Sequence, residues 1–287
     1  MALKRLLRPT NRRVRYLVGF LLVGLFCIQC IPTRQGEKCD IVIAQQAAPN
    51  PVDEGQQLLQ WAKSDHVALL THCLENYARS YRDYTCKLTK HERIRGSLPR
   101  QPQEIAVKFR QEPFSVAMKW LRNAPIGDRV LYVEGKHNNR MLVRPKGLLV
   151  LLTGGPVWRK PDGPDAMKNT LRPVTLFGFQ RGMRELVKVY RQAREAGDCK
   201  EAFAGYAEVA GRNALVLERY LPAKGDYPAW KTVVYVDPEY LVPICIEGFD
   251  WDNKLSSRYV YSDLRFNVGL TDDDFLPEAN DMKLPRK

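Results

Sequence analysis

Four histidines, seven cysteines and several carboxylate clusters are the groups in this chain that could do chemistry. His91-Glu92 opens like a zinc-hydrolase helix motif, but the second His never arrives. His66 and His72 lie on or beside one apolar stripe with no partner at ligand spacing. They read as packed or surface side chains, and no metal is expected. Cys27-Ile28-Gln29-Cys30 has thioredoxin spacing but sits inside an apolar run, where a redox pair would be out of reach. Cys73, Cys86, Cys199 and Cys245 could pair in an oxidising compartment, in any of three ways, or stay as small buried hydrophobes. Asp272-Asp273-Asp274 before Phe275 lacks the alternation and the closing Glu of a calcium loop, and reads as a capped helical turn. No P-loop, dinucleotide glycine fingerprint or Gly-x-Ser-x-Gly occurs. The spacings support no enzyme and no cofactor. Glu92 and Arg93 remain, near the end of a strand and just before a glycine turn. They read either as a charged rim that orients a ligand headgroup or as an edge salt bridge worth under ~1 kcal/mol.

The elements that would position such a rim are strands. From Tyr84 to Arg144 the chain alternates, with Cys86, Leu88, Ile105, Val107, Phe109, Val116, Met118, Trp120, Val130 and Tyr132 set against Lys87, Thr89, Lys108, Arg110 and Lys119. That is the period of a sheet with one dry and one wet face. Strands are expected near 84–94, 103–111, 114–121, 129–134, 140–144 and 148–152, with turns at Arg95-Gly96, Glu112-Pro113, Gly127-Asp128 and 135–139. A second meander is expected near 201–209, 214–221, 230–237, 241–250 and 257–266. Leu58, Ala62, His66, Leu69, Leu70, Cys73, Leu74, Tyr77 and Tyr81 recur at helical spacing, so one helix is expected from Glu54, behind an Asp53 cap, to about Tyr81. Leu176, Phe179, Met183, Leu186, Val187 and Tyr190 predict a second helix over 175–195, stopped by Gly197.

The formal charge is +13, of which residues 1–44 carry +6 and the rest +7. The remainder is spread along strands, as on a solvated sheet face. With no dense basic run outside the N-terminus and no reading motif, no nucleic acid is expected as a partner. Lys4, Arg5, Arg8, Arg12, Arg13 and Arg15 precede an apolar run over 16–31, the layout of an export signal or anchor. No clear cleavage site follows. Val42-Ile43-Ala44 lies far beyond the apolar core, and Gln29 before Cys30 is too large and polar for a lipobox. Residues 35–53, with Gln45 to Pro51, read as a linker. The organisation expected is an export signal or anchor at 1–34, a linker at 35–53, a folded domain at 54–278 and a frayed tail at 279–287. The folded part would sit on the periplasmic face of the cell envelope, tethered to the membrane by the N-terminal segment if the anchor is kept.

Two passages carry a family resemblance. Asp83-Tyr84-Thr85, Glu92 to Leu98, Val107 to Val116 and Tyr132 to Lys136 resemble, in order and spacing, the exported bacterial domain of unknown function "fifteen seventy-one". Asp237-Pro238-Glu239 with Pro243, then Tyr261 to Leu270 and Phe275, is similar to the closing strands of the LolA/LolB-type lipoprotein carriers. That resemblance implies a LolA-like α+β fold, mainly β: a curved antiparallel sheet forming an unclosed half-barrel with a helical lid. It also implies a cavity able to hold acyl chains.

The function expected is therefore an envelope protein that binds a lipid, an acylated protein or another apolar ligand. Phe109, Met118, Trp120, Val234 and Ile246 are the expected cavity residues, with Glu92 and Arg93 at the rim. The competing expectation is a structural or interaction protein of the envelope whose sheet interior is filled by helix side chains. A void of several hundred Å3, the size of ordinary ligand pockets (roughly 300–1,000 Å3), would separate the two.

Overall fold

The computed structural model describes residues 51–283. The export segment and most of the expected linker lie outside the described residues, as do 284–287. No helix among the described residues is long and apolar enough to cross a membrane.

Two helices come first, α1 (Pro51–Ser64) and α2 (His66–Ser80). The single helix expected from periodicity is thus broken at Asp65. Its extended backbone (φ −154°) leaves the helix, and its carboxylate accepts the amide of Ala68 at 3.1 Å, capping α2. Both segments keep the apolar stripe, so spacing alone could not reveal the break. The helix also begins three residues inside the stretch read as linker.

The first meander follows: β1 (Asp83–Glu92), β2 (Gln103–Arg110), β3 (Ser115–Arg122), β4 (Gly127–Val133) and β5 (Met141–Pro145). The strand expected at 148–152 is instead a short helix, α3 (Leu148–Thr153). Its Leu-Leu-Val-Leu-Leu run has no alternation to favour a strand, and leucine is a strong helix former. Gly147 and Gly154, both at positive φ, bracket it. A short strand, β6 (Val157–Arg159), takes the edge place beside β5, and a turn of helix, α4 (Pro164–Met167), comes next. The long amphipathic helix α5 (Phe179–Glu195) leads into the second meander. That comprises β7 (Lys200–Val209), β8 (Arg212–Tyr220), β9 (Lys231–Asp237), β10 (Val242–Phe249) and β11 (Leu255–Phe266).

All eleven strands form one antiparallel sheet in the order β6-β5-β4-β3-β2-β1-β11-β10-β9-β8-β7. Every neighbouring pair is consecutive in sequence except β1 and β11, which join the two meanders. The order ends in β6 and β7 without closing. The architecture is therefore α+β, mainly β, an unclosed half-barrel with helices over one face.

The helices cover that face unevenly. Leu69, Leu70, Cys73 and Tyr77 of α2 and Met183, Leu186, Val187 and Tyr190 of α5 are buried at three- and four-residue spacing. The two helices pack on each other and against β10, while α1 lies on β7 and β8. Each large side chain so buried contributes roughly 2 kcal/mol in gross terms. Over β1–β6 the cover is the connection 146–178, which carries α3 and α4. The chain is still packed at Met282, 0% exposed, inside the segment expected to be frayed. The four described cysteines are free, and Cys73, Cys86 and Cys245 are buried.

Candidate functional site: a cleft in the open half of the sheet

Antiparallel register sets the inward residues in rungs across the strands. At one end of the first meander the rung is Tyr84, Phe109, Val116 and Tyr132, with Phe266 of β11 beside Tyr84. It is closed by aromatic packing. Tyr84 stacks on Phe109 with centroids 4.8 Å apart, and Phe179 of α5 lies 5.1 Å from Tyr84. The next rung is Cys86, Val107, Met118, Val130, Val143 and Val157. Then come Leu88, Ile105 and Trp120 with Tyr261, and finally Lys90 and Gln103 with Tyr259, Ile246 and Val234.

Towards the far end the packing opens into a cavity of about 450 Å3. The sheet supplies one wall: Leu88, Ile105, Met118, Trp120, Val130 and Ile246. The connection 146–178 supplies the other, through Leu149, Ala166, Val174, Leu176 and Phe177. Gly178 sits at the boundary between plug and cavity. Its φ is +98°, and a Cβ there would lie 2.6 Å from Phe109 Cζ, so glycine is required both by backbone and by contact.

One region of the cavity wall is polar. Lys90 Nζ stands 2.9 Å from Glu92 Oε2 and donates to Thr170 Oγ1 at 2.9 Å. The Tyr259 hydroxyl donates to Glu92 Oε1 at 2.6 Å. Glu92 is 2% exposed, and this pairing compensates its burial. Burial, and then the Glu92 carboxylate beside it, push the Tyr259 phenol above its ordinary value. Burial likewise raises Tyr261. Both phenols are neutral donors across the usual pH range. The Arg172 guanidinium stands 5.7 Å from the Tyr259 ring centroid, and Trp120 Nε1 donates to Gln103 Oε1 at 2.7 Å. Nothing in this set resembles a nucleophile with an adjacent base. The set is one of hydrogen-bond donors and acceptors at the edge of an apolar space.

The residues picked out from sequence separate along this geometry. Met118, Trp120 and Ile246 line the cavity, and so does Glu92. Phe109 belongs to the aromatic plug, and Val234 is fully buried in the core on the helix-covered side. Arg93 turns away, its Nε donating to Leu255 O at 3.0 Å and its Nη1 to Gly96 O at 3.2 Å. Lys90, Tyr259 and Tyr261 were missed. Lys90 had a signal, since it continues the inward positions Cys86, Leu88 and Glu92. Thr170 and Arg172 come from an irregular connection whose path no periodicity encodes.

A family model described as a protein of unknown function, DUF1571, matches residues 81–284. No curated protein matches the chain. Among solved structures it is similar to MucB, at 16% identity over 74% of this chain and 63% of that one with a TM-score of 0.44. MucB is also solved in the Pseudomonas aeruginosa MucA/MucB complex. The chain thus spans less than two thirds of the MucB chain. It is similar to lipoprotein LppX of Mycobacterium tuberculosis (12% identity, 72% of this chain, 98% of that one, TM-score 0.40). It is also similar to a LolA superfamily protein of Nitrosomonas europaea (9% identity, 74% of this chain, 98% of that one, TM-score 0.31).

Proposed function

The chain belongs to the DUF1571 family, and we propose that it is a binding protein whose half-barrel cleft holds one apolar or acylated molecule. The observation that carries this reading is the 450 Å3 cavity between the β1–β6 half of the sheet and the connection 146–178. Its size falls among ligand pockets of roughly 300–1,000 Å3, and its walls are mostly apolar with a few convergent polar groups. Met118, Trp120 and Ile246 are the proposed contacts for the apolar part, with Glu92 in the polar part of the wall. Phe109 and Val234 act through packing, as the floor and the flank of the cleft, and Arg93 as a turn anchor.

The address is part of the proposal. Six cations ahead of the apolar run 16–31 support export to the periplasmic face of the envelope, with that run as signal or anchor. N-terminal sequencing of the mature protein decides between cleavage and retention.

The binding reading is tested by mass spectrometry of organic extracts from the full chain purified from native-like membranes under mild conditions. A stoichiometric lipid or acyl species is expected, lost in Met118→Glu or Trp120→Glu while the thermal transition persists. A ligand-free native protein that melts as cooperatively as the extracted one would move the reading to a structural envelope protein. The helix-plugged β8–β10 half of the sheet is the observation that favours that second reading.

A further inference from the structure

We propose that the occupant of the cleft is an anionic amphiphile, its acyl chain along Met118, Val130 and Trp120 and its acidic head between Lys90 and Arg172. The inference rests on the apolar-ligand reading above and adds the charge of the head.

The charges facing the cavity are unequal. Lys90, Arg159, Lys168 and Arg172 line it, against Glu92 and Asp165. Both carboxylates stand against a cation: Glu92 against Lys90 at 2.9 Å, with Tyr259 donating to its other oxygen, and Asp165 against Arg159 at 3.4 Å. Among the described residues Arg172 and Lys168 meet no carboxylate within 4 Å. Lys90 Nζ has three donors; one goes to Thr170 Oγ1, and Glu92 Oε2 stands 2.9 Å away as an ion-pair partner outside hydrogen-bond geometry. Donors are therefore left for a group in the cavity, which Lys90 lines.

A carboxylate or phosphate would find a guanidinium that can grip it with two parallel N–H donors, and an ammonium already oriented by its neighbours. An amine head would face the two unpaired cations, and would compete with Lys90 and Arg159 for Glu92 and Asp165. A hydroxyl head would gain hydrogen bonds but no charge. The recognised chemistry is therefore an acidic group at one end of an acyl chain.

The test is equilibrium dialysis of the full chain with three ligands of one chain length, palmitate, hexadecanol and hexadecylamine, each kept below its aggregation concentration. Palmitate is expected to bind about tenfold tighter than hexadecanol, ~1.4 kcal/mol, with hexadecylamine weakest. Arg172 is exposed, so Arg172→Gln should melt as the native protein does while losing most of the preference for the acid and none of its affinity for the alcohol. Lys90→Met combined with Glu92→Gln removes the second cation without stranding a buried carboxylate, and should act in the same direction. A lysophosphatidate of the same chain separates a phosphate head from a carboxylate, and preference for either acid over the alcohol is the expected result. Equal binding of acid and alcohol by the native chain overturns this inference and leaves the apolar-cleft reading standing. Binding of none of them overturns both.

Discussion

Glu92 and Arg219 lie on one rung of the sheet, joined in register through Ser257, Gly248 and Thr232 across five strands. Both are 2% exposed, and they carry opposite charge at the two ends of a buried polar row. They are not equally served. Glu92 has Lys90 as a counter-charge and the Tyr259 hydroxyl on Oε1, with Oε2 outside hydrogen-bond geometry. Arg219 has one hydrogen bond, from Nη2 to Thr232 Oγ1 at 2.9 Å, and the Tyr190 ring 4.6 Å away, while its Nε and Nη1 have no partner among the described residues. Burial accordingly lowers its affinity for its proton. An under-paired buried charge costs stability, and apolar replacement of such groups is often neutral or favourable by about 1–4 kcal/mol. Arg219→Met should therefore be at least as stable as the native chain in urea titration. A loss of about 2 kcal/mol or more would show that a counter-charge holds the guanidinium in the folded protein.

Asp83 gives a second prediction. Its carboxylate accepts the amides of Val268 at 2.7 Å and of Gly269 and Leu270 at 3.2 Å. Asn267 completes the clasp, accepting from the amide of Arg82 and donating to Ser80 O, each at 2.8 Å. Asp83→Ala leaves three amides without their acceptor and should cost about 3 kcal/mol, read from the urea midpoint at unchanged slope. An effect under about 0.5 kcal/mol would mean that water serves those amides equally well.

A third prediction compares two glycines at the start of α5, the N-cap Gly178 and Gly182 in its first turn. Gly178→Ala would set a methyl carbon 2.6 Å from Phe109 Cζ at a φ of +98°, and should lose about 2–4 kcal/mol. Gly182→Ala meets nothing within 4 Å and should gain about 0.5–1 kcal/mol by helix propensity. Thermal unfolding of the pair, scanned together, checks both signs.

The fourth concerns pH. His66 is buried with Nδ1 3.2 Å from the Tyr190 hydroxyl and Nε2 2.9 Å from Ala62 O. Burial lowers its imidazole below the usual value, opposed in part by Glu201. Burial raises Asp65 and Glu201, but their hydrogen bonds with Arg194, at 2.8 and 2.6 Å, help hold both below the usual carboxylate range. In all three the unfolded chain binds protons more readily, so stability rises with pH through each window. The His66 contribution is complete above about pH 6.5 and is lost as pH falls through its lower folded value. The carboxylate contribution is complete above about pH 4.5 and is lost further down. His66→Gln should flatten the melting profile just below about pH 6.5 and leave the steeper acid loss in place. A profile the substitution does not change would mean that the ring titrates alike in both states.

The strands were legible because alternation with a wet face is a strong signal, and the turn residues fell where the chain reverses. α3 was not, since five consecutive apolar residues carry no period. The break at Asp65 was hidden by a stripe that continues through it. The cleft was legible only in part, for a physical reason. Phe109 and Met118 share one inward alternation, and what distinguishes them is what lies above: Gly178 and the rings of Tyr84, Phe114 and Phe177 close over Phe109, while Met118 faces the open cavity. Lys90 shares that inward parity, but beyond parity a lone lysine carries no sequence signal that separates a cavity wall from a wet face. The cover depends on contacts between residues far apart in sequence, which a local period does not record.

The pairing of β1 with β11 has a consequence for how the chain can be made. The strand at 83–92 stays an open edge until residues 255–266 exist. Contacts of such long sequence separation form late and slowly. A growing polypeptide therefore carries an unsatisfied template through most of its synthesis, the kind of surface on which partly folded chains associate. Release before position 255 would leave a half-sheet with its inner edge bare, so full-length completion, rather than stepwise accretion, is the event that seals the molecule.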